Sequence, residues 1–344
     1  MKKIIYVSCG DDGHRPEYDR FFSKIFEEMH AQVEWVSDFR QAKDQKAVLF
    51  YSMFDGTPYQ TLFALRRAAF RSILGRKTVG LFFRPEACLH APTLKHQIKK
   101  ALFRFTAHLP NVSILTIQPF AVCPAFSTIA TNGIYDPQLW DLHYLAAPSE
   151  GSPELERRIA AAAQGKRIVV ALGGQNASKG FDYLADLWGS SPKLRESFLF
   201  VAAGKVSEES LDKARQFEEQ NGFLLNRFID NDELFALYRS ADIVWSCYSP
   251  QYNLASGIHG RAVQLGIPVL VREGSYLDKL GALIGHPTLA LDFDNQQKAS
   301  DDLLAWKPSH SDEQARTRIV THMREHSLAI LAKAIGTVHP APGR

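Results

Sequence analysis

The feature that most constrains this chain is an alternation that runs twice. Short runs of consecutive apolar residues at 4–9, 32–36, 47–52, 78–83 and 113–117 take turns with helical periodicity at 18–30 and 62–74. Strands that are apolar on both faces and separated by helices belong to a parallel sheet covered on both sides. A Pro-, Ser- and Gly-rich stretch at 145–153 breaks the pattern, and a helix is expected over 154–163. The alternation then restarts, with strands at 167–172, 198–203, 243–247 and 268–272 and helices at 181–188, 208–220, 232–239 and 260–265. A last helical stretch covers 311–335. The spacing predicts an α/β chain of two Rossmann-like, doubly wound domains. The expected bounds are 1–146 for the first domain, 147–164 for a linker and helix, 165–310 for the second domain, and 311–344 for a C-terminal helix and tail. Ligands of such sheets bind beyond the carboxyl ends of the strands. The functional loops are therefore expected at 8–18, 83–93, 173–180, 204–207 and 248–261, facing a central cleft.

Composition removes several classes. Four cysteines (Cys9, Cys88, Cys123, Cys247) lie far apart with no CxxC or Cys/His spacing, which argues against a disulfide framework or structural zinc and for a reducing compartment. The apolar run after Lys2 and Lys3 is too short for a signal-peptide core, and no stretch approaches the ~20 apolar residues of a membrane span. A cytoplasmic protein is expected. The net charge of +3 is unevenly spread: between Arg66 and Arg104 stand ten lysines and arginines and one acid, Glu86. Such asymmetry points to an anionic partner.

Chemistry concentrates where residues 169–172 run into Gly173-Gly174 and Lys179-Gly180 opens a helix. Glycines let backbone N–H groups approach an anion, and a helix N-terminus adds partial positive charge. Lys179 is either an exposed lysine on a tight turn or the full charge that meets a phosphate. The spacing fits neither GxGxxG nor a P-loop. Further on, Tyr252-Asn253-Leu254-Ala255-Ser256-Gly257-Ile258-His259-Gly260-Arg261 forms a glycine-punctuated loop entering a helix.

Three segments in order, Gly173 with Lys179-Gly180-Phe181-Asp182, ELFALYRSADIVWS at 233–246 and AVQLGIPVLV at 262–271, resemble the C-terminal half of retaining GT-B glycosyltransferases of the family 4 type. The likeness covers about residues 165–285; before that, Gly13-His14-Arg15 and the segment 136–141 are compatible with it. The resemblance implies a nucleotide-diphospho-sugar donor on the second domain, an acceptor on the first, and no metal. The charge on the leaving diphosphate would be met by preorganised donors. Lys179 matches the family's phosphate lysine, and residues 227–231, with Arg227, Phe228 and Ile229, match the segment facing the nucleobase. Gly204, Asn253 and His259 fall in the same nucleobase and sugar region. The chain also departs from the pattern: Gly174 stands where the family has arginine, and Asn253 and Arg261 stand where it has two glutamates. Arg261, with Ser256 and Gly257 at a helix start, can supply charge and N–H groups to the same anion. The competing readings are a solvated helix arginine and a simple helix cap.

In the first half, Asp12 and His14 follow the first strand, and Arg84 and Glu86 follow the fourth; each is a candidate for positioning an acceptor hydroxyl or a surface-turn residue. Residues 93–109 carry Leu94, Ile98, Ala101, Leu102, Phe105 and Leu109 at helical spacing, with Lys95, Lys99, Lys100 and Arg104 beside them. Residues 62–74 repeat the theme. Over 62–109 these stripes either lie on an anionic membrane at the inner face of the cell or cover the first sheet. Nucleic acid is not an expected partner. The expected function is a metal-independent, cofactor-free glycosyltransferase, with UDP favoured over GDP as the donor nucleotide. The acceptor would be a glycan or lipid-linked saccharide in surface polysaccharide or glycolipid synthesis. The alternatives are a catalytically degenerate GT-B scaffold and a nucleotide-sugar epimerase on the same fold.

Overall fold

A computed structural model describes residues 2–8, 15–38, 40–42, 46–90, 93–144 and 151–337. It divides into two compact units, one of Met1–Leu145 with Thr321–Arg344, the other of Ala146–Val320. In unit 1 the order is β1 (Lys2–Val7), α1 (Arg15–Glu28), β2 (Ala31–Val36), β3 (Val48–Tyr51), α2 (Pro58–Ile73), β4 (Thr78–Phe82), α3 (Glu86–His90), α4 (Leu94–Ala107), β5 (Val112–Thr116) and β6 (Asn132–Gly133). Unit 2 holds α5 (Pro153–Ala163), β7 (Arg167–Leu172), α6 (Phe181–Ser190), α7 (Pro192–Ser197), β8 (Phe198–Ala203), α8 (Leu211–Glu219), β9 (Phe223–Leu225) and α9 (Asn231–Ser240). It continues through β10 (Ile243–Ser246), α10 (Gly257–Leu265), β11 (Val269–Arg272), α11 (Tyr276–Ile284), β12 (Thr288–Leu291) and α12 (Gln296–Ala305). The last helix, α13 (Glu313–Ile335), begins in unit 2 and ends in unit 1.

Each unit is built on a six-stranded parallel sheet, ordered β2-β1-β3-β4-β5-β6 in unit 1 and β12-β11-β10-β7-β8-β9 in unit 2. The strand order reverses between β1 and β3 in the first and between β7 and β10 in the second. At such a reversal the flanking connections leave to opposite faces, which opens a crevice at the carboxyl ends. The helix α5 packs on α9 and β8, so residues 153–163 are part of unit 2.

Strands β7 and β8 have the expected bounds, because their apolar runs end at glycine. The helix α10 starts at Gly257, earlier than periodicity suggests, because the Ser256 hydroxyl caps it. The segment expected as one helix over 208–220 opens with a 3-10 turn at Glu208–Ser210 before α8. Strands β6 and β9, of two and three residues, are too short to show a period.

The basic stretch of unit 1 divides its labour. Arg71 is buried; its guanidinium donates to the Thr78 hydroxyl at 3.2 Å and to the carbonyls of Ala47 at 2.5 Å and Lys77 at 3.1 Å. Lys77 donates to the Lys333 and Ala334 carbonyls at 3.2 and 3.4 Å, at the negative end of α13. Part of the positive excess is therefore internal structure rather than a signal to a partner. The stripe on α4 divides as well: Leu102 and Leu109 pack partly buried against the core, as the sheet-covering reading expects. Phe103 and Thr106 are the helix's buried residues, while Leu94, Ile98 and Phe105 face outward.

Candidate functional site

The reversal in unit 2 falls between the ends of β7 and β10. After Leu172 the chain turns through Gly173 (φ +86°) and the exposed Gly174. Gln175 then folds back beneath the turn. Its buried amide donates to the carbonyls of Gly173 at 2.9 Å and of Ala171 and Ala203 at 3.3 Å, tying the ends of β7 and β8 together. Gly204, at φ +140°, closes that junction: a Cβ there would lie 1.8 Å from the Gly173 carbonyl oxygen. The Asn176 side chain accepts from the Lys179 N–H at 2.9 Å and shapes the turn before α6. Gly180 lets that turn lie against the end of β10, since its Cβ would meet the Cys247 oxygen at 2.0 Å.

This close approach sets Lys179 against the loop that follows β10. Its ammonium lies 3.6 Å from the centre of the Tyr252 ring and 4.6 Å from that of Tyr248. Burial pushes the ammonium down to about 8. Among the described residues no carboxylate pairs with it. The two rings stand edge to face at 5.3 Å. The Tyr248 hydroxyl lies 2.7 Å from that of Ser256, which in turn accepts from the His259 N–H at the start of α10. The cation and the N-terminus of α10, with Gly257 as its first residue, are thus joined through one tyrosine. Arg272, at the end of β11, braces the loop by donating to the Tyr248 carbonyl at 3.1 Å and to the Asn253 amide oxygen at 3.4 Å.

At the level of sequence alone, no family model and no curated protein matches this chain. Solved structures do match it, over nearly its whole length. The alpha,alpha-trehalose-6-phosphate synthase of Burkholderia multivorans shares 13% identity at a TM-score of 0.56, over 95% of this chain and 78% of its own. A UDP-forming alpha,alpha-trehalose-phosphate synthase of Burkholderia xenovorans, in complex with glucose-6-phosphate, shares 12% at 0.55, over 95% and 79%. WaaG, a glycosyltransferase involved in lipopolysaccharide biosynthesis, shares 14% at 0.52, over 94% and 95%. The chain has the GT-B fold.

Within the second GT-B unit, Gly173, Gly174, Lys179, Ser256 and Gly257 belong to the two loops that meet at the β7/β10 reversal. Arg261, one turn into α10, directs its guanidinium toward α9, 5.7 Å from the Phe235 ring. Asn253 is occupied structurally: its oxygen accepts the Tyr276 N–H at 2.8 Å, at the start of α11. His259 is fully buried near His286, both ring nitrogens lack a hydrogen-bond partner among the described residues, and burial pushes it down to about 3, so the imidazole is neutral. Beyond β9, Arg227 forms a two-pronged pair with Glu233 at 2.6 and 2.5 Å and donates to the Phe228 carbonyl at 3.0 Å. That brace holds Phe228 with 84% of its surface exposed, beside the half-buried Ile229.

In the first unit, Asp12 and His14 lie outside the described residues. Arg84 and Glu86 do not pair with each other. Arg84 donates to the Asp55 carbonyl oxygen at 3.2 Å and faces its carboxylate at 3.6 Å, while Glu86 pairs with His90 at 3.1 Å. The Asp55 carboxylate is fully buried and accepts the N–H groups of Phe83 at 3.0 Å and Arg84 at 2.8 Å. Tyr248, Tyr252, Gln175 and Asp55 escaped the sequence reading. For the tyrosines, the available signal was two aromatics four residues apart just beyond a strand in the same crevice.

Proposed function

We propose that this chain is a glycosyltransferase that moves a sugar from a nucleotide-diphospho-sugar to a glycan or lipid-linked saccharide. The carrying observation is Lys179, a cation held among tyrosine rings with no carboxylate partner among the described residues, at the strand reversal where α/β sheets bind ligands. A half-dry cation without a counter-ion favours an anionic ligand, and the N-terminus of α10 lends it a second positive element. A diphosphate fits both. As the bond between the sugar and the diphosphate breaks, charge grows on the leaving oxygen. Lys179, the N–H groups of Gly173, Gly174 and Gly257 and the Ser256 hydroxyl would stabilise it without reorganising, and Arg261 would join them by swinging its guanidinium away from Phe235.

Phe228 supplies an exposed aromatic face on which a nucleobase would stack, with Arg227 and Ile229 beside it and Gly204 at the end of β8, while Asn253 and His259 act by shaping the loop and helix on the other side of the reversal. UDP is favoured over GDP, in keeping with the UDP-forming synthase among the fold neighbours. The acceptor belongs to unit 1, with Asp12, His14, Arg84 and Glu86 as candidates for holding the attacking hydroxyl. Retention of configuration, independence of metal and cofactor, a role in surface polysaccharide or glycolipid synthesis, and a cytoplasmic place at the inner face of the membrane complete the reading.

Thermal unfolding with UDP, GDP, ADP and CMP tests it. A ligand at ~100 times its dissociation constant adds about 2.7 kcal/mol, a readily visible shift. UDP is expected to raise the melting temperature of the native protein and hardly that of Lys179→Ala. No response to any nucleotide would count against the reading. One observation favours a second reading, binding without turnover: the Asn253 oxygen, at the place of a family glutamate, is already committed to Tyr276 and Arg272. Consumption of nucleotide sugar only when acceptor is present would decide for the transferase.

A further inference from the structure

The helices α2 and α4 of unit 1 each present two faces that call for different surroundings. On α2, Thr61, Ala64, Leu65 and Ala68 turn inward. Leu62, Phe70 and Ile73, at intervals that keep them on one side of the helix, turn outward; Ile73 is 84% exposed. On α4, Leu94, Ile98 and Phe105 follow each other along one outward row, with Leu94 72% and Phe105 64% exposed. Both helices make right-handed crossovers that step the same way along the sheet, from β3 to β4 and from β4 to β5, so they lie on the same face. They also pack against each other. The two outward rows are therefore neighbours on one surface.

The charge carried by these two helices has a single sign. Arg66 lies in the α2 row between Leu62 and Phe70, and Lys95 and Arg104 flank the α4 row; all three are exposed. Neither helix contains an aspartate or glutamate. Large apolar side chains alternating with long cations, on helices lying side by side, match an interface where rings and aliphatic chains enter an apolar layer while cations reach up to phosphates. A second copy of this chain is a poor occupant, because a two-fold contact would set the same cations against each other.

We propose that the outward face of α2 and α4 is an in-plane docking surface for an anionic lipid bilayer. Leu62, Phe70, Ile73, Leu94, Ile98 and Phe105 enter the headgroup boundary, and Arg66, Lys95 and Arg104 contact lipid phosphates. The inference names the surface that would bring unit 1 to a lipid-linked acceptor, yet it rests on the two helices alone and stands apart from the donor site.

The test is co-sedimentation of the full chain with phosphatidylcholine vesicles and with vesicles of phosphatidylcholine and phosphatidylglycerol in equal parts, at low and moderate salt. Binding is expected to the anionic vesicles and to weaken with salt. A Phe70→Ser, Ile73→Ser, Phe105→Ser variant is expected to lose about tenfold or more in partitioning, and Arg66→Gln, Lys95→Gln, Arg104→Gln to lose the salt-dependent part. Every replaced side chain is exposed, so circular dichroism and the UDP-induced melting shift should be unchanged. Retention of that shift with loss of vesicle binding separates this surface from the nucleotide reading. Equal sedimentation with neutral and anionic vesicles, or unaltered binding by the serine variant, would overturn the proposal. So would a concentration-dependent dimer that the serine variant abolishes, since the face would then belong to an interface between copies.

Discussion

Raising the pH from 7 to 9 is expected to weaken UDP binding about tenfold, through Lys179. Burial against Tyr248 and Tyr252 holds its ammonium at about 8, against the ordinary 10.5. About nine-tenths of the ligand-free protein therefore carries the charge at pH 7 and about one-tenth at pH 9. A diphosphate beside the ammonium favours the charged form, so the complex keeps its proton across this range and the free protein must take one up to bind. Affinity then follows the charged fraction, and the fall amounts to about 1.4 kcal/mol.

Isothermal titration calorimetry reads both quantities. At pH 8, in two buffers of different ionisation enthalpy, the uptake should be about half a proton per UDP. Lys179→Arg, charged throughout, should give a flat profile, and Lys179→Met a flat and weak one. Equal affinity of the native protein at pH 7 and 9 would refute the reasoning, as would the same fall in Lys179→Met. The same desolvation fixes a sign for stability. The folded value lies below the unfolded one, so the unfolded chain binds more protons between about 8 and 10.5. The ligand-free protein should gain stability from this group as pH rises through that window and lose it as pH falls through about 8.

Three further outcomes are expected. Gly204→Ala should cost about 2–4 kcal/mol in urea unfolding, because φ is +140° and the Cβ would come 1.8 Å from the Gly173 oxygen, whereas Gly174→Ala, with its nearest atom at 3.7 Å, should stay within about 0.5 kcal/mol. Phe228→Ala should leave the melting temperature nearly unchanged, given 84% exposure, but weaken UDP by about 1–3 kcal/mol through lost base stacking, as read by titration calorimetry. His259, held near 3 by burial against an unfolded value of 6.5, contributes stability that is present above pH 6.5 and lost as pH falls toward 3. Urea midpoints across pH 4–7 should fall less steeply in His259→Leu than in the native protein.

The β7 turn was readable in the sequence because everything that shapes it is local. An apolar run, two glycines, and a lysine-glycine pair before a helix carry their own geometry. The tyrosine contacts of Lys179 were not readable, because Tyr248 and Tyr252 reach it only through the pairing of β7 with β10, strands that are distant in the chain. The basic stretch misled for a related reason. A charge count takes Arg71 and Lys77 as surface cations, but which carbonyls come within their reach is decided by how α2, β4 and α13 pack. On α4 the period was readable, but the two readings of its face stayed open, since a stripe at helical spacing carries no mark of which side the sheet lies on; the structure divides the stripe between them.

The cost borne at the β7/β10 reversal is itself an argument about purpose. A lysine whose only task was to support the fold would be expected to sit in water or beside a carboxylate, as Arg84 sits beside Asp55 and Arg227 beside Glu233. Lys179 does neither. It gives up hydration for two aromatic faces, which attract it more weakly than an anion would. The surrounding structure over-determines that position: Asn176 holds its N–H, Gly180 admits the turn against Cys247, and Arg272 braces the loop that carries the rings. Strain of this kind persists where an incoming ligand relieves it. An anion arriving at Lys179 would regain the lost electrostatic stabilisation, so the desolvation that weakens the ligand-free fold would become part of the affinity for a diphosphate, as the proposed function requires.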